Sequence, residues 1–377
     1  MSDACSNPDH LPEEAWIVAL LSLPGLGPSR LRLLLEAHGA RGAWDRLCRG
    51  DRVTVESVRP HTLEGWRSAA RLLSVRRHWE TISGLGVSVA AHGSLHYPTR
   101  LNEDIEPPRV LFSIGGEVPS GPTVGIVGTR NCTSYGQRCA FELGAALASV
   151  GVCVVSGLAL GIDAAAHRGA LSILFGKAKV ERTVAAGRPI GVVGSGLDVV
   201  YPKRNADLWE AVSNHGVLLS ETPPGIGPQA WRFPARNRII AGLSDALIVI
   251  ESHERGGSLL TVDEAQLRDV PVGAVPGPIT SNAAAGSNRL LVDGATPILD
   301  VGDVCALIGY APPRSISSVT DPSRQSELLD VLGWTPLSFD QLCGRVDLSN
   351  AEVAIEVERL VSEGLCARSG PWIERVR

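Results

Sequence analysis

Between residues 121 and 277, six short apolar runs alternate with longer amphipathic stretches: 123–127, 152–156, 189–193, 217–220, 246–250 and 271–274. Runs this short, with apolar residues at successive positions, bury both faces, which a parallel sheet covered by helices allows. Several are followed directly by Gly or Ser. Those are the carboxyl ends of strands, where open α/β sheets bind their ligands. A chain with this pattern is expected to fold around an α/β core and to carry its functional residues in the loops after the strands.

Four loops fit. Gly125-Ile126-Val127-Gly128-Thr129-Arg130 closes the first strand, and a helix opens near Tyr135. Such a turn brings phosphate to a helix N-terminus, with Arg130 as a fixed charge and Ser134 as a hydroxyl. The dinucleotide fingerprint Gly-x-Gly-x-x-Gly is missing and no acidic residue ends the second strand, so NAD is not expected. Ser156-Gly157-Leu158-Ala159-Leu160-Gly161-Ile162-Asp163 follows the second strand and leads into a helix bearing His167. Asp163 is placed to cap that helix. The spacing of Asp163 and His167 invites an acid–base reading, although a structural contact is the plainer one. Gly194-Ser195-Gly196 ends the third strand, with Lys203 and Arg204 just downstream, and Gly256-Gly257-Ser258 precedes a later helix. Each loop is weak alone; together, along one sheet edge, they point to a phosphate-bearing ligand.

The segment from Trp231 to Arg238 sharpens this. Arg232, Arg236 and Arg238 set three guanidinium groups within seven residues, beside the aromatics Trp231 and Phe233 and next to Asn237. Arginines and planar rings at the edge of an α/β core suit a ligand with phosphates and stackable bases, and single-stranded nucleic acid is one. The alternative is a solvated loop with ordinary surface arginines.

Composition limits the partners. The chain has 377 residues, 44% hydrophobic and 20% charged, so two or three domains of globular type are expected. No window of about 18 apolar residues occurs, so no membrane span is expected. A secretory signal is not expected either, since Met1-Ser2-Asp3-Ala4-Cys5 has neither a basic start nor an apolar run. Eight scattered cysteines without a Cys-x-x-Cys pair read as reduced thiols of a cytoplasmic protein, with no metal and no cofactor. The net charge is −5, yet residues 121–297 hold 15 Lys+Arg against 14 Asp+Glu, a net of +1. Residues 320–377 hold 6 against 10, a net of −4. A polyanion would therefore meet the middle segment rather than the C-terminal one.

The flanks read differently. Helices over residues 14–23 and 30–37 surround Pro24-Gly25-Leu26-Gly27-Pro28-Ser29, the outline of a helix–hairpin–helix whose turn offers N–H groups to phosphate. A tight helical hairpin in a small domain is the favoured reading, because only Arg30 and Arg32 lie close by. A helix over 297–307 is followed by a Pro- and Ser-rich linker, then three helices and a short hairpin, the order of a winged helix. Its third helix carries Glu352, Glu356 and Glu358 with one Arg359, which argues against DNA reading and for a regulatory or protein-binding role.

In family order stand Gly128-Thr129-Arg130 with Ser134-Tyr135-Gly136, Ser156-Gly157-x-Ala159-x-Gly161-Ile162-Asp163 with His167, and Gly194-Ser195-Gly196-Leu197-Asp198-x-x-Tyr201-Pro202. Phe233-Pro234-x-Arg236-Asn237-Arg238-Ile239-Ile240-Ala241-Gly242, Gly257-Ser258-Leu259 and Val275-Pro276-Gly277 follow. In these the chain resembles the DprA/Smf family of DNA-processing proteins over nearly its whole length. The resemblance implies an α/β fold with an extended Rossmann-like parallel sheet over residues 91–310. It also implies a small N-terminal helical domain of helix–hairpin–helix or SAM-like type over 1–90, a linker over 311–324 and a winged helix over 325–377. It implies a single-stranded DNA-binding recombination mediator that dimerises, loads RecA during transformation or recombination, works beside single-stranded DNA-binding protein and is not an enzyme. Arg130 and Lys203 stand where the family's phosphate-contacting residues stand, and Arg236 and Arg238 lie in its signature loop. Residues 172–187, with Lys177, Lys179 and Arg182, depart from the family pattern as either a basic extension of the DNA path or a disordered insertion. The runner-up is a nucleotide-processing enzyme of phosphoribohydrolase type; Arg255-Gly256-Gly257-Ser258 lacks that enzyme loop's third glycine, although Glu264 follows.

Overall fold

The structure is a computed structural model that describes residues 11–55, 58–175, 185–312, 327–332, 336–346, 348–362 and 364–376. The chain divides into two compact units, Met1–Pro313 and Arg314–Arg377.

The strands of the first unit are β1 (Ser88–Ala91), β2 (Val110–Ile114), β3 (Thr123–Val127), β4 (Cys153–Ser156), β5 (Ile190–Val193), β6 (Val217–Ser220), β7 (Ala246–Val249), β8 (Val272–Ala274) and β9 (Thr296–Pro297). They form one sheet in the order β1-β2-β6-β5-β4-β3-β7-β8-β9. From β6 to β9 every pair is parallel, while β1 and β2 run antiparallel at one edge. All six expected strands are present. β1, β2 and β9 were not expected: β1 and β9 are too brief to stand out from loops by periodicity, and β2, although apolar, lies outside the strand–helix alternation and pairs antiparallel at the edge.

The helices of this unit are α1 (Glu13–Leu21), α2 (Pro28–His38), α3 (Ala40–Arg49), α4 (Pro60–Leu72), α5 (Val75–Ser83), α6 (Thr99–Asn102), α7 (Ser134–Ser149), α8 (Ile162–Phe175), α9 (Ala206–His215), α10 (Arg232–Leu243), α11 (Leu259–Gln266), α12 (Ala285–Val292) and α13 (Val301–Leu307). Alternate strand residues face opposite layers, as the two-residue period of a strand requires. Val127, Val155, Val192, Leu219 and Val249 pack with Ile239, Ile240 and Leu243 of α10. Val124, Ile126, Val154 and Ile248 pack with α7 and α8 on the other face. A third cluster joins Ile17, Val18 and Leu20 of α1 to Val110, Phe112 and Leu218 of the sheet, so the N-terminal helices share a core with it. β1 opens at Ser88, just ahead of the boundary expected at residue 90.

The helix expected over 297–307 begins later. Pro297 pairs in β9, and the Asp300 side chain accepts from the Gly302 and Asp303 N–H groups, so α13 starts after Asp300 in a capping box. In residues 172–187, α8 extends to Phe175; Lys177, Lys179 and Arg182 lie outside the described residues.

The second unit contains α14 (Glu327–Leu332), β10 (Leu337–Ser338), α15 (Phe339–Cys343), α16 (Asn350–Ser362), β11 (Cys366–Ser369) and β12 (Trp372–Arg375). Its strands form an antiparallel sheet in the order β10-β12-β11 over a core that includes Leu328, Leu342, Val353, Val357 and Ile373. Among the described residues of the whole chain, no helix is long and apolar enough to cross a membrane.

Candidate nucleic-acid interface

The strand order reverses beside β3. The chain leaves β3 towards β4, β5 and β6 on one side, and leaves β7 towards β8 and β9 on the other. Loops that diverge from neighbouring strands open a crevice at their carboxyl ends. A cleft of about 340 Å³ lies there, lined by Gly128, Thr129 and Arg130 after β3, His253, Gly257 and Ser258 after β7, and Phe233, Arg236 and Asn237 of α10. A smaller cleft of about 60 Å³ adjoins it, with Gly157, Gly194 and Tyr201 in its wall. Arg130, Ala159, Phe233 and Arg236 line both.

Two arginines dominate this junction. Arg130 is exposed, and its guanidinium carbon sits 5.3 Å from the centre of the Phe233 ring. Tyr201 lies on the same ring at 5.5 Å between centroids. A cation over a ring with a second ring beside it is a surface on which a base stacks while its phosphate meets a charge. Arg236 is 8% exposed; its Nη1 donates to the Val192 carbonyl at 2.8 Å, and its Nε has no partner. Burial lowers its pKa and nearby Asp163 raises it, while burial raises the Asp163 carboxyl against the pull of Arg236. A desolvated guanidinium with donors to spare is an anion subsite of high field.

The segment around Arg236 is a helix, not the signature loop that the resemblance implied. Pro234 sits in the first turn of α10, where a missing N–H costs nothing, and Ile239-Ile240 anchor the next turn in the core. The ladder thereby points Arg238 away from the junction. Its Nη2 donates to both Glu221 carboxylate oxygens at 2.8 Å, its side chain is 5% exposed, and it lines neither of these clefts. Arg238 is thus a structural ion pair rather than a phosphate contact.

The glycines divide in the same way. A Cβ on Gly157 would overlap the Arg236 guanidinium, one on Gly128 would meet Ile162 and the Glu251 carbonyl, and Gly161 has φ +80° against the Thr129 carbonyl. These three let protein approach protein. Gly257 alone of the four expected glycines has open space where a Cβ would stand. Ser156 is also internal, donating to the Ile126 carbonyl at 2.6 Å.

The N-terminus of α7 corrects another expectation. Thr133 caps it, accepting from the Gly136 N–H. Glu251, fully buried after β7, accepts from the Thr133 N–H at 2.8 Å and the Thr133 hydroxyl at 2.6 Å. A Cβ on Gly136 would overlap the Glu251 carboxylate. The anion at this helix end is therefore the protein's own. Ser134 is exposed beside it and lines neither cleft; Lys203 is exposed in the Lys203–Asn205 turn and lines neither. Asn205 ties that turn to the loop after β4 by donating to the Leu158 and Ala159 carbonyls at 2.9 and 3.2 Å.

Asp163 and His167 form no hydrogen-bonded pair: Asp163 accepts from the Gly157 N–H at 3.2 Å, and the His167 ring is fully buried beside the Ser156 backbone. Burial holds the His167 pKa down to about 4 from 6.5, so the imidazole is neutral. The unfolded chain takes up this proton near 6.5 and the folded chain only near 4, so stability falls as pH falls through that window. The loss expected at the acid end is about 3 kcal/mol, at 1.36 kcal/mol per unit. Urea unfolding at about pH 7.5 and about pH 5 should show roughly 2 kcal/mol of it, and His167→Leu should remove most of the slope.

Arg130 and Phe233, both expected at the ligand edge of the sheet, line the cleft; their stacking, the Tyr201 ring and the cleft-lining His253 were not expected. Contacts between residues so far apart in sequence leave no local signal. Among the described residues, no group of three His, Cys, Asp or Glu is placed to hold a metal ion.

Residues 88–309, which span the whole sheet, match the family model described as DNA recombination-mediator protein A. The chain belongs to that family. Its sequence is 39% identical to DNA processing protein DprA of Bacillus subtilis over 221 residues, covering 58% of this chain and 70% of that protein. The matched segments cover 52% to 72% of the curated relatives' lengths. The fold is similar to the X-ray structure of DprA from Streptococcus pneumoniae, with TM-score 0.64, 30% identity and coverage of 78% of this chain and 97% of that one. It is also similar to DNA processing protein A of Helicobacter pylori, with TM-score 0.50, 27% identity and coverage of 60% and 97%. The structure of the Helicobacter pylori protein is described in terms of a single-stranded DNA binding mode. Membership of the family accounts for the motif order along the sheet, and places the cleft beside β3 and β7 inside the matched segment.

Proposed function

We propose that this chain is a single-stranded DNA-binding recombination mediator, and that the strand lies along the carboxyl edge of the sheet. The observation that carries this is Arg130 over Phe233 at the junction of two clefts, with buried Arg236 beneath them. Charge, ring and desolvated guanidinium together suit a sugar-phosphate backbone with unpaired bases, and a duplex hides its base faces. Gly128, Thr129, Asn237, Gly257 and Ser258 complete the wall, and exposed Lys203, two residues after Tyr201, is assigned a phosphate contact on family membership. We assign RecA, single-stranded DNA-binding protein and a second copy of this chain as its partners, and a cytoplasmic role in transformation or recombination, on family membership. The N-terminal helices with the turn at Gly25–Gly27 fit a helix–hairpin–helix or SAM-like domain. The second unit's helices and hairpin fit a winged helix.

The nucleotide-hydrolase alternative is weakened by Glu251, which fills the helix end at which a mononucleotide phosphate would sit. A salt-titrated binding assay, comparing an oligonucleotide with its duplex, tests the proposal. Salt-sensitive preference for the single strand is expected; equal or absent binding would overturn it. Gly257→Ala probes the wall directly. Its Cβ meets nothing, so unfolding should not change, while a strand drawn against that backbone should bind several-fold more weakly. Unchanged affinity would remove the α11 end from the path.

A further inference from the structure

We infer that the single-stranded path does not end at Phe233 but continues across Trp231 to the turn at residues 25–30, where one nucleotide is held in a separate cleft. This rests on the single-strand reading above. The cleft, of about 480 Å³, lies between that turn and the first turns of α10, and Trp231, Pro234, Ala235 and Arg238 form its α10 wall. Pro234 also lines the larger cleft at the sheet edge, so the two clefts meet at the start of α10.

Trp231 is the base platform. It is 44% exposed, yet its ring is held in place from three sides. The Arg232 guanidinium carbon lies 4.4 Å from the ring centre, with its Nη1 donating to the Thr222 hydroxyl at 3.0 Å. The indole N–H donates to the Gln229 side-chain oxygen at 2.7 Å, and the ring edge lies against Gly27. An exposed aromatic fixed in one orientation loses little entropy when a base stacks on it.

The opposite wall suits the phosphate. Gly27 caps α2 without a side-chain acceptor, and Pro28 opens the helix, so the N–H groups of Ser29 and Arg30 face outwards at the positive end of the helix dipole. Arg30 adds its charge, held by donation to the Gly25 carbonyl at 3.1 Å. The floor suits a base edge rather than a second phosphate. Glu264 there is paired with Arg268, and Glu106 lies 3.8 Å from Arg238. Arg238 lines the cleft with its Nη2 given to Glu221 and its Nε 3.8 Å from Glu106. Carboxylate acceptors held by arginines match the donor groups of a nucleobase edge, and charge with helix N–H groups at the rim matches its phosphate.

The test uses the full chain, thymidine oligonucleotides of about four and about twelve residues, and the variants Trp231→Leu, Trp231→Phe and Arg30→Ala. Trp231→Leu keeps apolar packing on Gly27 and removes the stacking face. It should weaken the long strand about ten-fold, leave the short strand unchanged, and be largely reversed by Trp231→Phe. Arg30→Ala should lower the salt slope for the long strand alone by about 0.7. Unchanged long-strand binding in both Trp231→Leu and Arg30→Ala would overturn this extension while leaving the sheet-edge site standing. Equal losses for short and long strands would also overturn it, because the two sites would then not be separate. If neither strand binds the unaltered chain, the single-strand reading itself fails and this extension falls with it.

Discussion

Arg130→Ala is expected to weaken single-strand binding by about ten-fold to a hundred-fold. A hydrogen bond to a charged partner contributes about 1.5–3 kcal/mol, and each 1.4 kcal/mol is tenfold in affinity. The slope of log affinity against log salt should fall by about 0.7, the value for one phosphate on a single strand. Arg130→Lys separates the two roles, since an ammonium keeps the charge but lacks the planar group stacked over Phe233. It should restore the salt slope and only part of the affinity. Because Arg130 is exposed, the unfolding free energy of the variant in urea should stay within about 0.5 kcal/mol of the unaltered chain. Unchanged affinity and slope in Arg130→Ala would remove the cleft junction from the DNA path.

Arg238→Ala is expected to destabilise the first unit by about 3–5 kcal/mol, measured by urea unfolding. The substitution leaves the Glu221 carboxylate, whose side chain is 12% exposed, without the guanidinium that donates to both of its oxygens. Burial already raises the Glu221 pKa against the pull of Arg238, so removing Arg238 should raise it further. The destabilisation should therefore shrink as pH falls and the carboxyl gains its proton. Replacing both partners together, as Arg238→Met with Glu221→Leu, should recover most of the loss, because a well-packed apolar pair carries no unpaired charge. A loss below about 1 kcal/mol for Arg238→Ala would show that the pair is as weak as a surface ion pair.

These two arginines show where reading the chain linearly succeeds and fails. They stand in motifs that look alike, yet Arg130 is exposed over Phe233 at the sheet-edge clefts, while Arg238 is tied to the Glu221 carboxylate. Arg130 follows a strand end, and strand ends in a parallel sheet are where ligands bind, so its place was legible. Arg238 was assigned to the same interface because a run of arginines beside Phe233 carries no mark of which face each occupies. That was decided once Ile239 and Ile240 fixed the rotation of α10 against the sheet. The glycines behaved likewise. Gly128, Gly157 and Gly161 were expected to admit a ligand, and they admit Ile162, Arg236 and the Thr129 carbonyl instead. A sequence shows that backbone approach is close at a glycine, but not what approaches.

What the sequence determined by itself was the alternation of buried strands with amphipathic helices, and so the parallel sheet and the edge at which open α/β sheets bind ligands. Those follow from local periods of apolar residues, which each segment carries alone. Tertiary structure decided which loops meet. The reversal of strand order beside β3 brings Arg130 to His253, α10 brings Phe233 under Arg130, and Glu251 reaches Thr133 across 118 positions of chain. Such contacts depend on strand order and helix rotation, which are set by packing the whole core at once and leave no trace in any single window of the chain.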